Sequence, residues 1–404
     1  MIWVDSSLDE LGFVSRGKSR HRPRDAAHLY GGQYPFVQTG DVKHAGLYLY
    51  EYSQTYSEAG LAQSKLWPAG TLCITIAANI ADTAILGIDA CFPDSVIGFI
   101  PDLTKTNARY IKYLFDAELK LKYRQFTQGA AQDNLSQGKL LSIRFRIPQD
   151  VEDQERIADF ISAYDELIEN NSRRIELLVQ SVRLLYREWF VYLRFPGHEH
   201  VENINGIPEG WKLLAVKDCC SQVSYGYTAS STIEKVGPKL LRITDIVPSC
   251  INWESVPYCE IGEKEKDKYK LALGDVVVAR TGATVGYAKR ISSVEEDVVY
   301  ASYLVKFKPD PEIVDDLILG VFMESNEYKE YVKANAGGAA QPNANAQVLG
   351  GAKLLVPAKK IQEQFRVYCT ESFELKRNLE RQNAMLTKAR DLLLPRLMNG
   401  DITV

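Results

Sequence analysis

The chain has only seven cysteines, at positions 73, 91, 219, 220, 250, 259 and 369, and no C-x2-C pair among them. An odd number without paired spacing excludes a zinc ribbon and speaks against a disulfide framework, which fits a reducing, cytoplasmic setting. Histidine is scarcer, with five in 404 residues, and His198 and His200 lack cysteine or carboxylate partners at ligand spacing, so no metal is expected. A long hydrophobic run is also missing. The most apolar stretch, residues 71–88, is interrupted by Asn79 and Asp82 and closely bounded by Gly70 and Gly87, so it reads as buried strands and not as a membrane span. The first ten residues carry Asp5, Asp9 and Glu10 and no basic residue, so no secretory signal is expected.

Catalytic signatures are absent too. There is no G-x-S-x-G, and no Asn-Pro-Pro-Phe or Asp-Pro-Pro-Tyr of the kind used in amino-methyl transfer. Gly12-Phe-Val-Ser-Arg-Gly17-Lys18-Ser19 fits G-x4-G-K-S by letter. A phosphate loop needs an apolar strand before it and a helix after it, and Pro23 spoils that helix. Arg280-Thr-Gly-Ala-Thr-Val-Gly286 lacks G-x-G-x-x-G spacing. It reads either as a plain hairpin turn or as a bend presenting Arg280 and Thr284 to a ligand. Nothing here points to an enzyme.

What remains is an ordinary globular composition, 46% hydrophobic and 25% charged, which rules out a disordered or fibrous chain. The net charge of −4 is unevenly spread: +2 over residues 1–148, −5 over 149–190, −4 over 191–357 and +3 over 358–404. One cluster stands out. Arg16, Lys18, Arg20, Arg22 and Arg24 alternate over nine residues with no acid among them, a pattern suited to neutralising phosphates. The alternative for that run is a solvated surface loop.

The chain is also written twice. Trp3 answers Trp211, and Pro35-Phe-Val-Gln-Thr-Gly-Asp-Val42 answers Leu240-Leu-Arg-Ile-Thr-Asp-Ile246, with Asp41 and Asp245 in register. Gly129-Ala-Ala-Gln-Asp-Asn134 returns as Gly338-Ala-Ala-Gln-Pro-Asn343, Ile147-Pro148 as Val356-Pro357, and Asp153-Gln154 as Glu363-Gln364. A repeat of about 205 residues is a duplicated domain plus element, suited to a pseudo-two-fold arrangement. Each copy starts with β-type runs, continues with a shorter helical stretch (110–126 and 316–336), and ends in a long helix (152–190 and 360–394).

The first long helix carries heptads, with a at Ile161, Ile168, Ile175, Val182 and Trp189 and d at Ile157, Tyr164, Asn171, Leu178 and Leu185. The second fits a at Phe365, Ser372, Leu379, Leu386 and Leu393, with d at Tyr368, Leu375, Gln382 and Ala389. The polar seam residues Asn171, Ser372 and Gln382 either fix register or face a third helix or water. Two such helices are expected to run antiparallel. The first would make a rod of roughly 58 Å at 1.5 Å per residue, with a β-rich domain toward each end.

Taken in order, Trp3, Arg16-Gly-Lys-Ser19, Pro35–Val42, Gly129-Ala-Ala-Gln132, Ile147-Pro148 and Asp153-Gln-Glu-Arg-Ile157 are followed by a long helix. The second round runs Trp211, Gly226-Tyr-Thr-Ala-Ser230, Arg242-Ile-Thr-Asp-Ile246, Arg280–Gly286, Gly338–Asn343, a helix, and Leu392-Leu-Leu-Pro-Arg-Leu-Met-Asn-Gly-Asp-Ile402. This doubled order resembles the DNA-specificity subunits of type I restriction-modification systems over essentially the whole chain. The resemblance implies an α+β fold: target-recognition domains at residues 1–150 and 191–358, and spacer helices at 151–190 and 359–404 that pair as an antiparallel coiled coil.

It further implies that each domain reads half of a bipartite, asymmetric double-stranded DNA site. Two methyltransferase subunits would dock on the helices, and restriction-translocase subunits would complete the complex. S-adenosylmethionine, ATP and magnesium would belong to those partners, and this chain would hold no cofactor. Candidate DNA contacts are Arg16, Lys18, Arg20, Arg22, Arg24, Gln38 and Thr39 in the first domain. In the second they are Tyr225, Tyr227, Thr228, Ser230, Ser231, Arg242, Arg280 and Thr284. Tyr225, Tyr227, Thr228, Ser230 and Ser231 lie in a stretch without a cation between Lys217 and Lys235, so hydroxyls and stacking are expected there, with Arg242 and Arg280 compensating. Rival readings are a stand-alone binding module, an RNA-binding or assembly scaffold, and a nuclease.

Overall fold

The computed structural model describes residues 1–77, 80–119, 135–248, 250–294, 296–338 and 342–404. The motif Gly129–Asn134 lies outside the described residues, as do positions 339–341 of its second copy and the part of the 110–126 stretch beyond Leu119. The chain divides into two compact units, residues 1–172 with 381–404, and residues 173–380.

In the first unit a five-stranded sheet runs in the order Gly12–Arg16, Val96–Pro101, Leu72–Thr75, Thr83–Leu86, Tyr48–Leu49. The strand Leu72–Thr75 is buried throughout because its sheet separates two cores. Leu72 and Ile74 join Phe99, Tyr110, Phe115, Ile157, Ile161 and Leu397 on one face, while Cys73 joins Trp67, Phe92 and Val96 on the other. That double burial explains why the 71–88 stretch reads as a continuous apolar run instead of an alternating one. On the second face Tyr30–Phe36 lies parallel to Ala90–Cys91. A two-stranded ladder, Trp3–Ser6 with Phe145–Pro148, leads into the long helix.

The second unit repeats this plan. Its sheet runs Cys220–Tyr225, Leu304–Pro309, Val276–Ala279, Ala288–Arg290. Val276 and Val278 face the core containing Trp211, Phe307 and Phe365, and Val277 and Ala279 face the core of Leu241, Ile246 and Tyr300. Lys239–Leu241 runs parallel to Val298–Tyr300, and Lys212–Ala215 pairs with Lys353–Val356. The helical stretch expected over 316–336 is two helices, Asp316–Met323 and Asn326–Asn335. Ser325 breaks it, its hydroxyl accepting the Tyr328 amide at 3.1 Å as the cap of the second helix.

Two long helices, Val151–Tyr186 and Lys359–Met398, contribute to both units. All ten a and d positions of the first are buried or half-buried. The second needs correction. Its a positions face inward, but Tyr368, Leu375 and Gln382 are exposed, and the other half of the stripe is Gln362, Cys369, Lys376, Asn383, Arg390 and Leu397. The seam is therefore more polar than its sequence suggests, and Gln362, Lys376, Asn383 and Arg390 in it are paired. In the first unit Asn171 donates to Asn383 at 3.0 Å, and Asn383 donates to the Ile168 carbonyl and the Ser172 hydroxyl. Arg390 holds Asp165 at 2.6 Å, and Tyr113 donates to the same carboxylate. Numbers rise along one helix as they fall along the other, so the pairing there is antiparallel. In the second unit Phe365 sits among Tyr186, Trp189 and Phe190.

At the start of each helix one buried amide ties the helix to its own unit. Gln154 donates to the carbonyls of Lys105 and Pro148 and accepts from the Thr106 hydroxyl. Gln362 donates to the carbonyls of Ile313 and Pro357 and accepts from the Asp315 amide. The structural repeat thus aligns Gln154 with Gln362, two residues away from the Gln364 that the sequence comparison paired with it.

Candidate nucleic-acid interface

The two basic-loop and tyrosine-loop segments occupy one backbone geometry used twice. Strand Gly12–Arg16 and strand Cys220–Tyr225 each end at a glycine that crosses the neighbouring chain. The Gly17 amide donates to Val96 and that of Lys18 to Phe92; the Gly226 amide donates to Leu304 and that of Tyr227 to Tyr300. A Cβ on Gly17 would lie 2.3 Å from the Phe92 carbonyl oxygen, and one on Gly226 would lie 2.2 Å from that of Ala301. Only glycine permits the crossing. Arg16-Gly17-Lys18 and Tyr225-Gly226-Tyr227 are therefore equivalent segments carrying opposite chemistry.

In the first unit all five cations of the basic run are exposed, but not all are available. Arg24 contacts both carboxylate oxygens of Asp94 at 2.9 Å, and Arg16 donates to the Asp94 carbonyl at 2.8 Å. Arg22 donates to the carbonyls of Ser19 and His21. The acid missing from the run itself is supplied some seventy residues away in sequence. Among the described residues Lys18 and Arg20 have no side-chain partner. The loop's shape is set from outside as well, the Gln63 side chain accepting the amides of Arg20 and His21.

Gln38 and Thr39 open the short helix Thr39–His44. Gln38 donates through its side chain to Gln54 at 2.6 Å, and its amide is capped by Asp41. Sequence reasoning missed Lys65, whose ammonium lies 3.6 Å from the Trp67 ring centre and 4.5 Å from that of Phe13. Partial burial, with Lys18 nearby, lowers its pKa. The one local signal for Lys65 is Trp67 two residues on, while its second ring, Phe13, sits on a strand distant in sequence.

In the second unit the cations sort differently. Arg242, expected to compensate for the neutral loop, is held bidentately by Asp245 at 2.9 and 3.0 Å, which raises its pKa. Asp245 caps the Arg242 amide as Asp41 caps Gln38, so the expected Asp41–Asp245 register holds in the structure. Lys266 and Lys270 both meet Asp297 at 2.6 Å and push that carboxyl down to about 2.

Arg280 differs from these. Its guanidinium lies 4.9 Å from the Tyr225 ring centre, and its buried Nε has no partner among the described residues. The Tyr225 hydroxyl accepts the Ala346 amide at 3.0 Å. The turn Gly282–Thr284 is braced by the Pro342 carbonyl, which accepts the Gly282 amide at 2.9 Å, and Thr284 there is half-buried. Tyr227 packs beside Tyr269 and donates to Glu265, and burial with that carboxylate raises its pKa. Thr228, Ser230 and Ser231 are exposed. Among the described residues no cluster of three or more His, Cys, Asp or Glu is placed to hold a metal, and no helix is long and apolar enough to cross a membrane.

The family model for the type I restriction modification DNA specificity domain matches residues 2–180. The type I restriction enzyme MjaIX specificity subunit of Methanocaldococcus jannaschii is 22% identical over 100% of this chain and 94% of its own length. The MjaVIII specificity subunit of the same organism is 24% identical over 72% of this chain and 70% of its own. In fold, the chain is similar to the type I restriction-modification S subunit of M. genitalium, with a TM-score of 0.54, 15% identity, and coverage of 98% of this chain and 96% of that one. Residues 2–180 thus match the type I restriction modification DNA specificity domain, and over its whole length the chain is similar to specificity subunits of type I restriction-modification systems.

Proposed function

We propose that each unit reads one half of a bipartite, asymmetric double-stranded DNA site, and that the paired helices fix the interval between the halves and dock two methyltransferase subunits. The observation that carries this reading is the backbone crossing at Gly17 and Gly226, built twice and furnished once with cations and once with tyrosines. A repeated geometry with different side chains is what an asymmetric target requires, because base edges are distinguished by the donors and acceptors presented to them. S-adenosylmethionine, ATP and magnesium act on the partner methyltransferase and restriction-translocase subunits in the cytoplasm, and this chain supplies the address. A single-molecule methylome of cells expressing the chain with its methyltransferase, against a deletion of this gene alone, tests it. A bipartite adenine-methylation motif with a fixed gap should vanish in the deletion; identical methylomes under confirmed expression of both chains refute the reading.

Two variants probe its parts. Lys18→Ala with Arg20→Ala should reduce the slope of log affinity against log salt by about 1.8, near 0.9 for each lost phosphate contact. Arg24→Ala, which removes a side chain already bound to Asp94, should change the slope far less. Inserting four residues after Asn171 puts the Asn171–Asn383 and Asp165–Arg390 pairs out of register with the packing of Phe365 on Tyr186 and Phe190. The gap in the methylated motif should change or become heterogeneous while each half-sequence persists. Loss of both half-sequences would mean the helices do more than set the interval.

A further inference from the structure

We propose that Arg280, beside the Tyr225 ring, reads a guanine in the half-site recognised by the second unit. The inference rests on the base-reading role proposed above and assigns a chemical target to one residue. Residues 191–357 contain four arginines, and the one at 194 lies in the linker and meets Glu188. Of the three in the recognition domain itself, Arg242 is held by Asp245 and Arg290 by Asp316. Arg280 is the one with no carboxylate on it among the described residues.

Its position is also fixed before any ligand arrives. The Arg280 amide donates to the Tyr303 carbonyl at 3.0 Å, and its own carbonyl accepts the Ala344 amide at 2.8 Å. The Tyr225 ring centre lies 4.9 Å from the guanidinium, and the Ala346 amide anchors the Tyr225 hydroxyl. With Nε buried, the terminal N–H groups are the part of the fork left for a ligand. A planar fork of that kind matches the O6 and N7 acceptors of guanine, the base it recognises bidentately. Holding the side chain in advance also removes much of the rotamer entropy that a free arginine loses on binding.

The first unit shows that this arginine is an addition to the shared scaffold. The equivalent backbone hydrogen bond there is made by Ile76 to Ser95, and Arg16 stands in the place of Tyr225. The same fold thus carries an apolar side chain at the Arg280 position in one unit and a guanidinium beside an aromatic ring in the other. A scaffold role would not require that difference.

The test uses the full chain with its methyltransferase, reading the methylome for wild type, Arg280→Lys, Arg280→Gln and Tyr225→Leu. Wild type should show a guanine requirement in the half-sequence of the second unit that Arg280→Lys and Arg280→Gln relax at one position. Discrimination there should fall roughly 5- to 150-fold, the range of one bidentate contact. Tyr225→Leu should relax the same position to a smaller degree. The half-sequence of the first unit persists in every variant and shows that the complex has assembled. An unchanged motif in Arg280→Lys overturns the assignment. So does uniform weakening at all sequences with a salt slope lower by about 1, which marks a phosphate contact. Absence of any bipartite motif in wild type would instead defeat the base-reading role itself, and Arg280 with it.

Discussion

Gly226→Val should erase the half-sequence read by the second unit and leave the first intact, and Gly17→Val should do the reverse. In each case the new Cβ would fall 2.2–2.4 Å from two carbonyl oxygens of the crossed strand, Tyr300 and Ala301 for Gly226, Phe92 and Pro93 for Gly17. Backbone cannot rotate away as a side chain does, so the crossing itself must open. Overpacking of flexible side chains costs about 1–3 kcal/mol, and a clash with main chain lies at or above the top of that range. The displaced segments carry Lys18 in one unit and Tyr227 in the other, so strain and loss of contacts coincide. The methylome of each variant checks the outcome. Survival of both half-sequences would show that the crossing does not position the reading residues.

Phe365→Ala should destabilise the second unit by about 3–5 kcal/mol, the usual cost of truncating a fully buried aromatic. Phe365 is 0% exposed, with ring centres of Phe190, Trp189 and Tyr186 at 4.9, 5.7 and 6.3 Å. Those edge-on contacts add to the area it buries. Tyr368→Ala is the matched control. Tyr368 is 63% exposed, and its truncation should cost less than about 1.5 kcal/mol despite its contact with Trp189. Denaturant unfolding of the two variants separates the registers. Equal losses would return Tyr368 to the seam, where its spacing alone had put it.

That contrast shows where the sequence was readable and where it was not. Apolar periodicity marks the first helix because ten of its seam positions are nearly all hydrophobic. The second helix hides half its seam behind Lys376, Asn383 and Arg390, side chains that look solvent-facing until their partners are known. Asn383 is legible only beside Asn171, more than two hundred residues earlier. The interface candidates behave likewise. Arg24 looks equivalent to Arg280 in sequence, and only folding brings Asp94 onto it, whereas the Asp245 that holds Arg242 is three residues away and its role shows only once the turn is formed. The duplication itself was evident, yet its register slipped at Gln364, because two nearby glutamines compete and only Gln362 reaches the carbonyls. Charge pattern proposes cations; tertiary pairing decides which remain available.

The amides of Gln154 and Gln362 also bear on how the protein can change. Among the carbonyls they grip are those of Lys105, Pro148, Ile313 and Pro357, all main-chain groups. A joint that holds backbone is largely blind to the side chains of the domain it fastens. Substitutions on the exposed surface of a unit therefore leave these hydrogen bonds in place, so long as the apolar packing of Ile157, Ile161 and Phe365 on the unit cores is kept. What such a surface contacts is free to change while the joints stay fixed, as a lathe accepts any tool whose shank fits the chuck.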